Sequence, residues 1–442
     1  MRAMDTIIAL ATPPLKGALA IIRVSGNDAF SITEKLTGKT IAPTQKELVY
    51  SSLTYEGKLL DLVMLLLYPS SSSMTGEDTV EITCHGSMVI AREIIEAYLS
   101  LGARYAGPGE FSSRAFYHGK MDLIEAEAVN DLINATTRES KNVALYSLSG
   151  KTSKLLLPLK EKFGEILGFI EVGIDYPEYD EEEMVTAPLI AARCEAIKAD
   201  IAYLIEGGER GQIVREGIKV AIVGEPNVGK SSLLNALLQE DKALVSPIPG
   251  TTRDVVEGEI SIRGIPVKLL DTAGLRETED YVEGLGIARS EKMIREADVI
   301  LYVYDEKTDK AYEKNLFEAT KDKRVIEICN KSDLIPNKRK GVIYASAIQN
   351  DVEDVKKAIY ESLEVGEEAF NAPSLSNERE LALLRRMNGE LDLAIEACSK
   401  EEPVDLISAY IQEAYHLLQE LLGEEPNLDL TDEIFSRFCV GK

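Results

Sequence analysis

The stretch Gly224-Glu225-Pro226-Asn227-Val228-Gly229-Lys230-Ser231 leaves this chain few folds to choose from. An apolar run, Ile218–Val223, precedes it and predicts a buried strand. Ser232-Leu233-Leu234-Asn235-Ala236-Leu237-Leu238 follows it with helical character. A strand, a glycine loop and a helix that opens on Lys-Ser form the context in which backbone amides wrap an anion. Gly224 and Gly229 let the main chain curl so that successive N–H groups face phosphate oxygens. The helix N-terminus adds partial positive charge. Lys230 is expected to reach the β- and γ-phosphates of a nucleotide and Ser231 to ligate Mg²⁺. Asn227, Val228, Gly229 and Ser232 complete the expected cradle.

The residues beyond the loop alternate between strand and helix patterns. Gly258–Arg263 and Ile265–Leu270 read as a hairpin about Gly264, and Val299–Tyr304, Val325–Ile328 and Val342–Tyr344 as later strands. Ile287–Arg295, Ala311–Thr320 and Val352–Leu363 read as helices. This predicts an α/β domain, a mostly parallel sheet covered by helices on both faces.

Four short stretches fall where such strands end. Gly250-Thr251-Thr252-Arg253, which follows Ser246-Pro247-Ile248-Pro249, offers a threonine hydroxyl for Mg²⁺. In Asp271-Thr272-Ala273-Gly274 the acid can hold the ion through water, and the Gly274 N–H can sense the γ-phosphate. In Asn330-Lys331-Ser332-Asp333 the carboxylate can accept from guanine N1–H and the exocyclic amine, donors that adenine lacks in that arrangement. Ser346-Ala347 is placed to touch the base. Together and in this order they predict GTP hydrolysis rather than ATP hydrolysis. Leu275 stands where Ras-type enzymes carry a glutamine that orients water. That function must come from a downstream acid, an ion or a partner.

Helical periodicity lies on both sides of this domain. It begins near Met121, continues through Leu155–Val172 and Ala187–Ile205, and resumes after Pro373, where Val404, Ile407, Ile411, Ala414, Leu418 and Leu421 keep an apolar seam. Gly207-Gly208 and Gly211 predict a hinge before the phosphate-loop strand. One helical domain, built from two segments with the nucleotide domain inserted, is the economical arrangement. The N-terminal part reads as mixed α/β. Ile7–Leu10, Ala18–Val24, Leu59–Tyr68 and Thr79–Thr83 are strand-like, a helix is expected after Asn27, and Ser87 is placed to cap a helix over Met88–Leu101.

The formal charge of −26 argues against broad, nonspecific nucleic-acid binding, though not against a local basic patch. The acidic run Glu178–Glu183 reads as a solvated loop. No apolar run reaches the ~18 residues of a membrane span, and Met1–Leu10 lacks the pattern of a signal peptide. Cys84, Cys194, Cys329, Cys398 and Cys439 form no disulfide or metal spacing, which fits a reducing cytoplasm. His85 beside Cys84 reads as structural.

On the motifs GEPNVGKSSLLN, PGTTRD, DTAGLRET followed by VEGLGI, and the C-terminal DEIFSRFCVGK, the chain resembles the MnmE (TrmE) family of tRNA-modification GTPases. Val440 replaces the isoleucine usual in the terminal FCIGK of that family. The resemblance implies a tetrahydrofolate-binding, dimer-forming domain over 1–118. It also implies a helical domain over 119–210 and 371–442, and a G domain over 211–370. It implies a cytoplasmic homodimer that acts on tRNA in a heterotetramer with a flavin-dependent MnmG (GidA)-type partner, with no membrane involved. The reaction would place an aminomethyl-type group at carbon 5 of the wobble uridine.

The carry-over puts K⁺ among Asn227, Ser246, Ile248 and Thr251, and Mg²⁺ on Ser231 and Thr252. Glu283 would orient the attacking water, the role Leu275 cannot fill. Arg23, Glu81, Lys120 and Lys442 would bind a 5-formyl- or methylene-tetrahydrofolate. Cys439 has two readings, a reactive thiol near the folate or a small buried residue that locks the chain end, and the second is preferred. A ribosome-assembly switch of the Era or EngA type would share the central motifs. It would be expected to add an RNA-binding domain or a second G domain, which the sequence does not display.

Overall fold

The computed structural model describes residues 5–175, 186–240, 258–271, 293–306, 320–321, 323–336, 338–424 and 428–442. Its contacts divide the chain into two units, Met1–Asn130 with Tyr415–Lys442, and Asp131–Ala414.

In the first unit, period-two patterning builds a sheet. Among the described residues it holds β1 (Ile7–Leu10), β2 (Leu19–Ser25), β3 (Glu47–Tyr55), β4 (Lys58–Tyr68), β5 (Thr79–His85) and β6 (Arg104–Tyr105), in the order β3-β4-β5-β2-β1-β6. Neighbours are antiparallel except β1 with β6. Ala20, Ile22 and Val24 of β2 turn inward, against α1 (Ala29–Thr37) and α2 (Met88–Ser100). Arg23, between them in sequence, turns to the other face. There α3 (Glu110–Tyr117) sets Phe111 on Ile7 and Ala9. Sequence reading left β3 and α3 unassigned. Ser51-Ser52 interrupts the apolar alternation of β3, and Leu48 and Tyr50 are exposed. Ser87 stands at the N-cap of α2, but its side chain makes no capping hydrogen bond. The C-terminal helix, Leu428–Ser436, and the turn after it bring Ile434, Phe435 and Phe438 onto Phe116, Leu123 and Ala126.

In sequence α4 (Leu123–Asn134) spans the boundary of the two units, and α5 (Arg138–Leu148), α6 (Leu157–Asp175) and α7 (Ala187–Glu216) belong to the second. Thr137 and Ser140 form a capping box at the start of α5. In the second unit the phosphate-loop sheet runs β12-β11-β10-β7-β9-β8 among the described residues. The strands are β7 (Ile218–Val223), β8 (Gly258–Ile262), β9 (Ile265–Asp271), β10 (Val299–Tyr304), β11 (Arg324–Cys329) and β12 (Ile343–Tyr344). All pairs are parallel except the β8–β9 hairpin. Both faces are buried, as the near-continuous apolar runs require. Val220 and Ile222 pack with residues of α8 (Lys230–Glu240) and α9 (Glu353–Ser362), and Ala221 and Val223 pack with Ile300 and Tyr302. The expected helix over Ala311–Thr320 lies almost wholly outside the described residues, and of Ile287–Arg295 only the last residues are described. After α10 (Glu368–Asn371), α11 (Glu378–Ser399) packs along α7, and α12 (Val404–Leu422) buries Ile407, Ile411, Ala414, Leu418 and Leu421 of the expected seam, with Val404 half-buried. No described helix is long and apolar enough to cross a membrane.

The expected hinge at Gly207-Gly208 and Gly211 is not there. α7 runs unbroken for 30 residues through all three. Two of the glycines serve close approach instead. A Cβ on Gly208 would lie 2.2 Å from the Leu375 carbonyl oxygen, and one on Gly211 would lie 2.1 Å from Ser374 Oγ. The segment returning from the nucleotide domain therefore lies directly on the helix backbone. Gly207 meets nothing within 4 Å. Gly208→Ala and Gly211→Ala should each destabilise by about 1–3 kcal/mol through forced displacement of that segment. Gly207→Ala should stabilise by roughly 0.5–1 kcal/mol through helix propensity. Urea unfolding of the three variants checks the contrast, and equal effects would remove the packing account.

Candidate functional site

The phosphate loop is shaped by three backbone positions. Gly224 follows β7 with φ +155°, where an added Cβ would come within 2.1 Å of the Val303 carbonyl oxygen of β10. Asn227 takes the left-handed conformation, φ +66°, which asparagine tolerates better than most residues. Gly229 has φ +97°, and a Cβ there would meet Asn330 Nδ2 at 2.3 Å. Lys230 opens α8, and its ammonium donates to the carbonyls of Gly224 (3.0 Å) and Glu225 (2.8 Å). Ser231 and Ser232 are exposed in the first turn of that helix. A hydroxyl in that position suits a hard cation such as Mg²⁺.

Asn330-Lys331-Ser332-Asp333, the stretch expected to recognise the base, is fastened to this loop. Asn330 is buried, and its Nδ2 donates to the Val228 carbonyl at 2.9 Å while its Oδ1 has no hydrogen-bond partner. Lys331, with φ +60°, donates to the Asn227 carbonyl (2.9 Å) and to Asp305 Oδ2 (2.7 Å). Asp333 is exposed, and its Oδ1 accepts from the buried Ser346 hydroxyl at 2.7 Å. Ser332 N–H donates to the Ala345 carbonyl at 3.0 Å, next to Ser346 and the half-buried Ala347. Three expected stretches, 227–232, 330–333 and 346–347, thus meet at one end of the sheet. Asp271 ends β9, opposite Ile222 of β7. Ser246, Pro247, Ile248, Pro249, Gly250, Thr251, Thr252, Thr272, Ala273, Gly274, Leu275 and Glu283 lie outside the described residues, as does the acidic run Glu178–Glu183. Sequence reading missed Asp305, although its place directly after β10 is the signal that marked the other stretches.

In the first unit Arg23 and Glu81 face each other across β2 and β5. Arg23 Nε and Nη2 lie 2.9 and 2.8 Å from Glu81 Oε1, Nη1 donates to the Gly441 carbonyl at 3.0 Å, and the guanidinium lies over the Phe111 ring. Burial, then the charge of Glu81, push the Tyr68 phenol up from its ordinary value. The chain end is held by backbone contacts. Phe111 N–H donates to the Lys442 carbonyl at 3.1 Å, Val440 bridges to Pro108, and Gly441 sits where a Cβ would be 2.6 Å from the Leu10 carbonyl. Cys439 is exposed, which overturns the preferred reading of it as a buried lock: glycine and main-chain amides do the locking. The other four cysteines are buried as expected. His85 pairs with Asp61 at 2.8 Å.

Lys120 is not part of the Arg23–Glu81 cluster by any contact it makes; its ammonium donates to the Ser71 carbonyl at 3.3 Å. The 69–78 loop on which it rests is anchored by side chains that sequence reading missed. His118 Nδ1 bonds the Thr75 carbonyl (2.7 Å), and Ser25 bonds Thr75 and Glu77. Arg114, 3% exposed, pairs with Glu77, Asp5 and Glu110 at 2.8–2.9 Å. A charged residue amid Phe111, Ala115 and Phe116 was the available signal. Hydrogen bonds from Arg104 hold the Asp5 carboxyl below the usual range. For Glu110 burial acts upward, but bonds from Arg104, the Gly107 N–H and Arg114 outweigh it.

Comparison with known proteins extends over the whole chain. Residues 6–120 match the family profile described as GTP-binding protein TrmE N-terminus, and residues 123–439 that described as MnmE helical domain. The sequence is 39% identical to the tRNA modification GTPase MnmE of Bacillus velezensis, over 99% of this chain and 100% of that protein. It is 40% identical to the protein of the same description from Geobacillus thermodenitrificans, over the full length of both. Among solved structures, Aquifex aeolicus Era matches 40% of this chain and 67% of its own at 26% identity and a TM-score of 0.27. The G domain of T. maritima FeoB matches 33% and 99%, at 26% identity and a TM-score of 0.25.

Arg114→Ala should destabilise the protein by about 3–5 kcal/mol, because it strands three carboxylates around a buried position. Asp5 and Glu110 titrate below their unfolded values, so their stabilisation is present above about pH 4.5 and is lost as the pH falls through that range. Urea midpoints between pH 3 and pH 7 should drop less steeply for Asp5→Asn/Glu110→Gln than for the parent. Parallel pH curves would sink this assignment.

Proposed function

The chain belongs to the MnmE family of tRNA modification GTPases, and from that premise we propose that it couples GTP hydrolysis to modification of the tRNA wobble uridine. The observation that carries this is one continuous chain that joins a fastened phosphate loop and guanine stretch to flanking regions resembling MnmE along their whole length.

In this reading, residues 1–118 bind folate and dimerise, 119–210 and 371–442 form the helical domain, and 211–370 form the G domain. The phosphates of GTP lie against the amides of Asn227–Ser232, with Lys230 leaving its own loop's carbonyls to meet them. Ser231 and Thr252 would hold Mg²⁺, which would neutralise charge on the phosphates, and Asp271 would act on the ion through water. Asp333 and Ser346 read guanine, and Ala347 lies by the base. Asn227, Ser246, Ile248 and Thr251 would hold K⁺, which supplies positive charge where an arginine otherwise would. Pro247, Pro249, Gly250, Thr272, Ala273 and Gly274 belong to the segments around the phosphates, and Glu283 orients the attacking water.

Paired G domains of a homodimer would close during turnover. Arg23, Glu81, Lys120 and Lys442 would hold a tetrahydrofolate. Arg23 and Glu81 fit a pterin by charge and hydrogen bonding, and the folate would supply the one-carbon unit. A flavin-dependent MnmG (GidA)-type partner would complete the complex that places a carboxymethylaminomethyl or aminomethyl group at carbon 5, in the cytoplasm.

Turnover should be higher in K⁺ than in Na⁺, and Glu283→Ala should cut it by roughly 10²–10³-fold with GTP binding retained. Spin labels on two G domains should approach when GTP, K⁺ and a fluoride mimic of the γ-phosphate are added. An unchanged distance would count against the closing mechanism. Asp333→Asn should weaken GTP by roughly 10–100-fold and improve xanthosine triphosphate, whose 2-oxo group accepts where guanine donates. Equal loss of both nucleotides would remove Asp333 from base recognition.

A further inference from the structure

A chain with 75 acidic and 49 basic residues repels a polyanion at long range, so any approach to RNA phosphates must use a local exception. One stretch stands out. Residues 138–162 carry six Lys and Arg against two Glu. Elsewhere in the same unit several cations are tied to acids, as in Arg215–Asp131, Arg385–Glu209 and Lys331–Asp305. Within the stretch, Lys162 is paired with Asp200 and Lys160 is also engaged. Arg138, Lys141, Lys151 and Lys154 are exposed, and none makes an ion pair to a described residue.

Their arrangement follows from local geometry. α5 buries Ser140, Val143 and Ala144 and turns Arg138, Lys141 and Leu145 outward, at the i, i+3, i+7 spacing of one helix face. Gly150, with φ +69°, then reverses the chain. The Lys151 N–H returns to the Tyr146 carbonyl (3.1 Å), and its ammonium lies 5.1 Å from the Tyr146 ring centroid. Lys154 begins the next turn, its N–H on the Gly150 carbonyl. The acid closest in sequence, Glu139, is drawn aside. Its carboxyl carbon lies where a Cβ on Gly264 would meet it at 2.4 Å, at the tip of the β8–β9 hairpin. Glu259 of that hairpin is likewise bonded, by Thr136.

We propose that this surface, Arg138, Lys141, Lys151 and Lys154, docks the phosphate backbone of the tRNA. The inference rests on the tRNA-modifying reading above and adds where the substrate lies. Such contacts position an RNA without reading its bases, so the surface serves tRNAs with different wobble bases equally.

The test uses the full chain with all four residues changed to Gln, and a second set changed singly. A control variant changes Lys338, Arg339 and Lys340, another exposed basic run, to Gln. The readout is fluorescence anisotropy with two tRNA transcripts, one with uridine and one with cytidine at the wobble position, at about 50–200 mM salt. The fourfold variant should bind both about 10–100-fold more weakly, with the salt slope reduced by about 3. GTP turnover and the control variant should be unchanged. Unchanged affinity and slope in the fourfold variant would overturn the proposal, as would a loss confined to the control. Intact tRNA binding with a lost flavoprotein complex would overturn it and assign the surface to a protein. An unaltered chain that binds neither transcript would overturn the tRNA reading itself.

Discussion

Two side chains, Asn330 and Lys331, hold the nucleotide end of the molecule together. They reach more than a hundred residues back along the sequence to the carbonyls of Val228 and Asn227. A phosphate loop works only if its amides point inward, and that requires its carbonyls to be satisfied on the other side. The same two residues begin the stretch whose Asp333 is expected to read the base. The spacing between phosphate and base recognition is therefore set by direct bonds rather than by two loops that happen to lie close. This explains the glycine at 229: any Cβ there would occupy the place of Asn330 Nδ2. It also explains why Lys331 adopts a left-handed backbone, since only that turn lets the lysine face the loop while Asp305 steadies its ammonium.

The second constraint lies at the far end of the β8–β9 hairpin. In sequence this hairpin joins the PGTTRD stretch to DTAG, so the segment expected to offer a hydroxyl to Mg²⁺ and the one expected to sense the γ-phosphate are both its extensions. Its body is clamped by helices. Gly217, at the end of α7, can have no side chain because the Pro266 carbonyl would lie 2.1 Å from it. Arg215 meets Asp131, Thr136 bonds Glu259, and Val143 and Val214 are buried in the same core as Ile260, Ile262 and Val267. Packed cores resist continuous deformation. A shift of the hairpin on exchange of nucleotide must therefore move α5 and α7 or break these contacts, and α5 carries Arg138 and Lys141, which make no ion pair to a described residue.

The parts of this fold that were legible in sequence were those encoded by local pattern. β1, β7 and β10 fall on the expected residues, because parallel or central strands are apolar on both faces and end sharply. β3 was not legible, because its outward apolar residues and paired serines mimic neither template. The glycines of α7 were misread for a physical reason. A glycine needed for close approach and a glycine needed for a turn look alike in sequence, and only Leu375 and Ser374, some 165 residues away, distinguish them. At the site, the residues expected on phosphate or base, Asn227–Ser232, Asn330–Asp333 and Ser346–Ala347, follow strand ends, where local pattern marks them. Those that hold other residues in place are harder to read, because their partners lie far along the chain: Lys331 is 26 residues from Asp305, and Arg114 is 37 residues from Glu77.

Cys439 follows the same logic. A small residue near a chain terminus invites the inference of a buried plug. Yet the terminus is secured where a side chain would be excluded, at Gly441 against Leu10, and by the amides of Gly109 and Phe111. The Arg23 guanidinium divides its donors between Glu81 and the Gly441 carbonyl. The last turn of the chain is thus part of the polar wall around Glu81 rather than a cover laid over it. Shortening the chain by two residues would remove an acceptor from Arg23 as well as a packing contact, so the stability of the first unit should fall in such a variant. In a Cys439→Ser chain the stability should not move, because the thiol is exposed and the main chain does the holding.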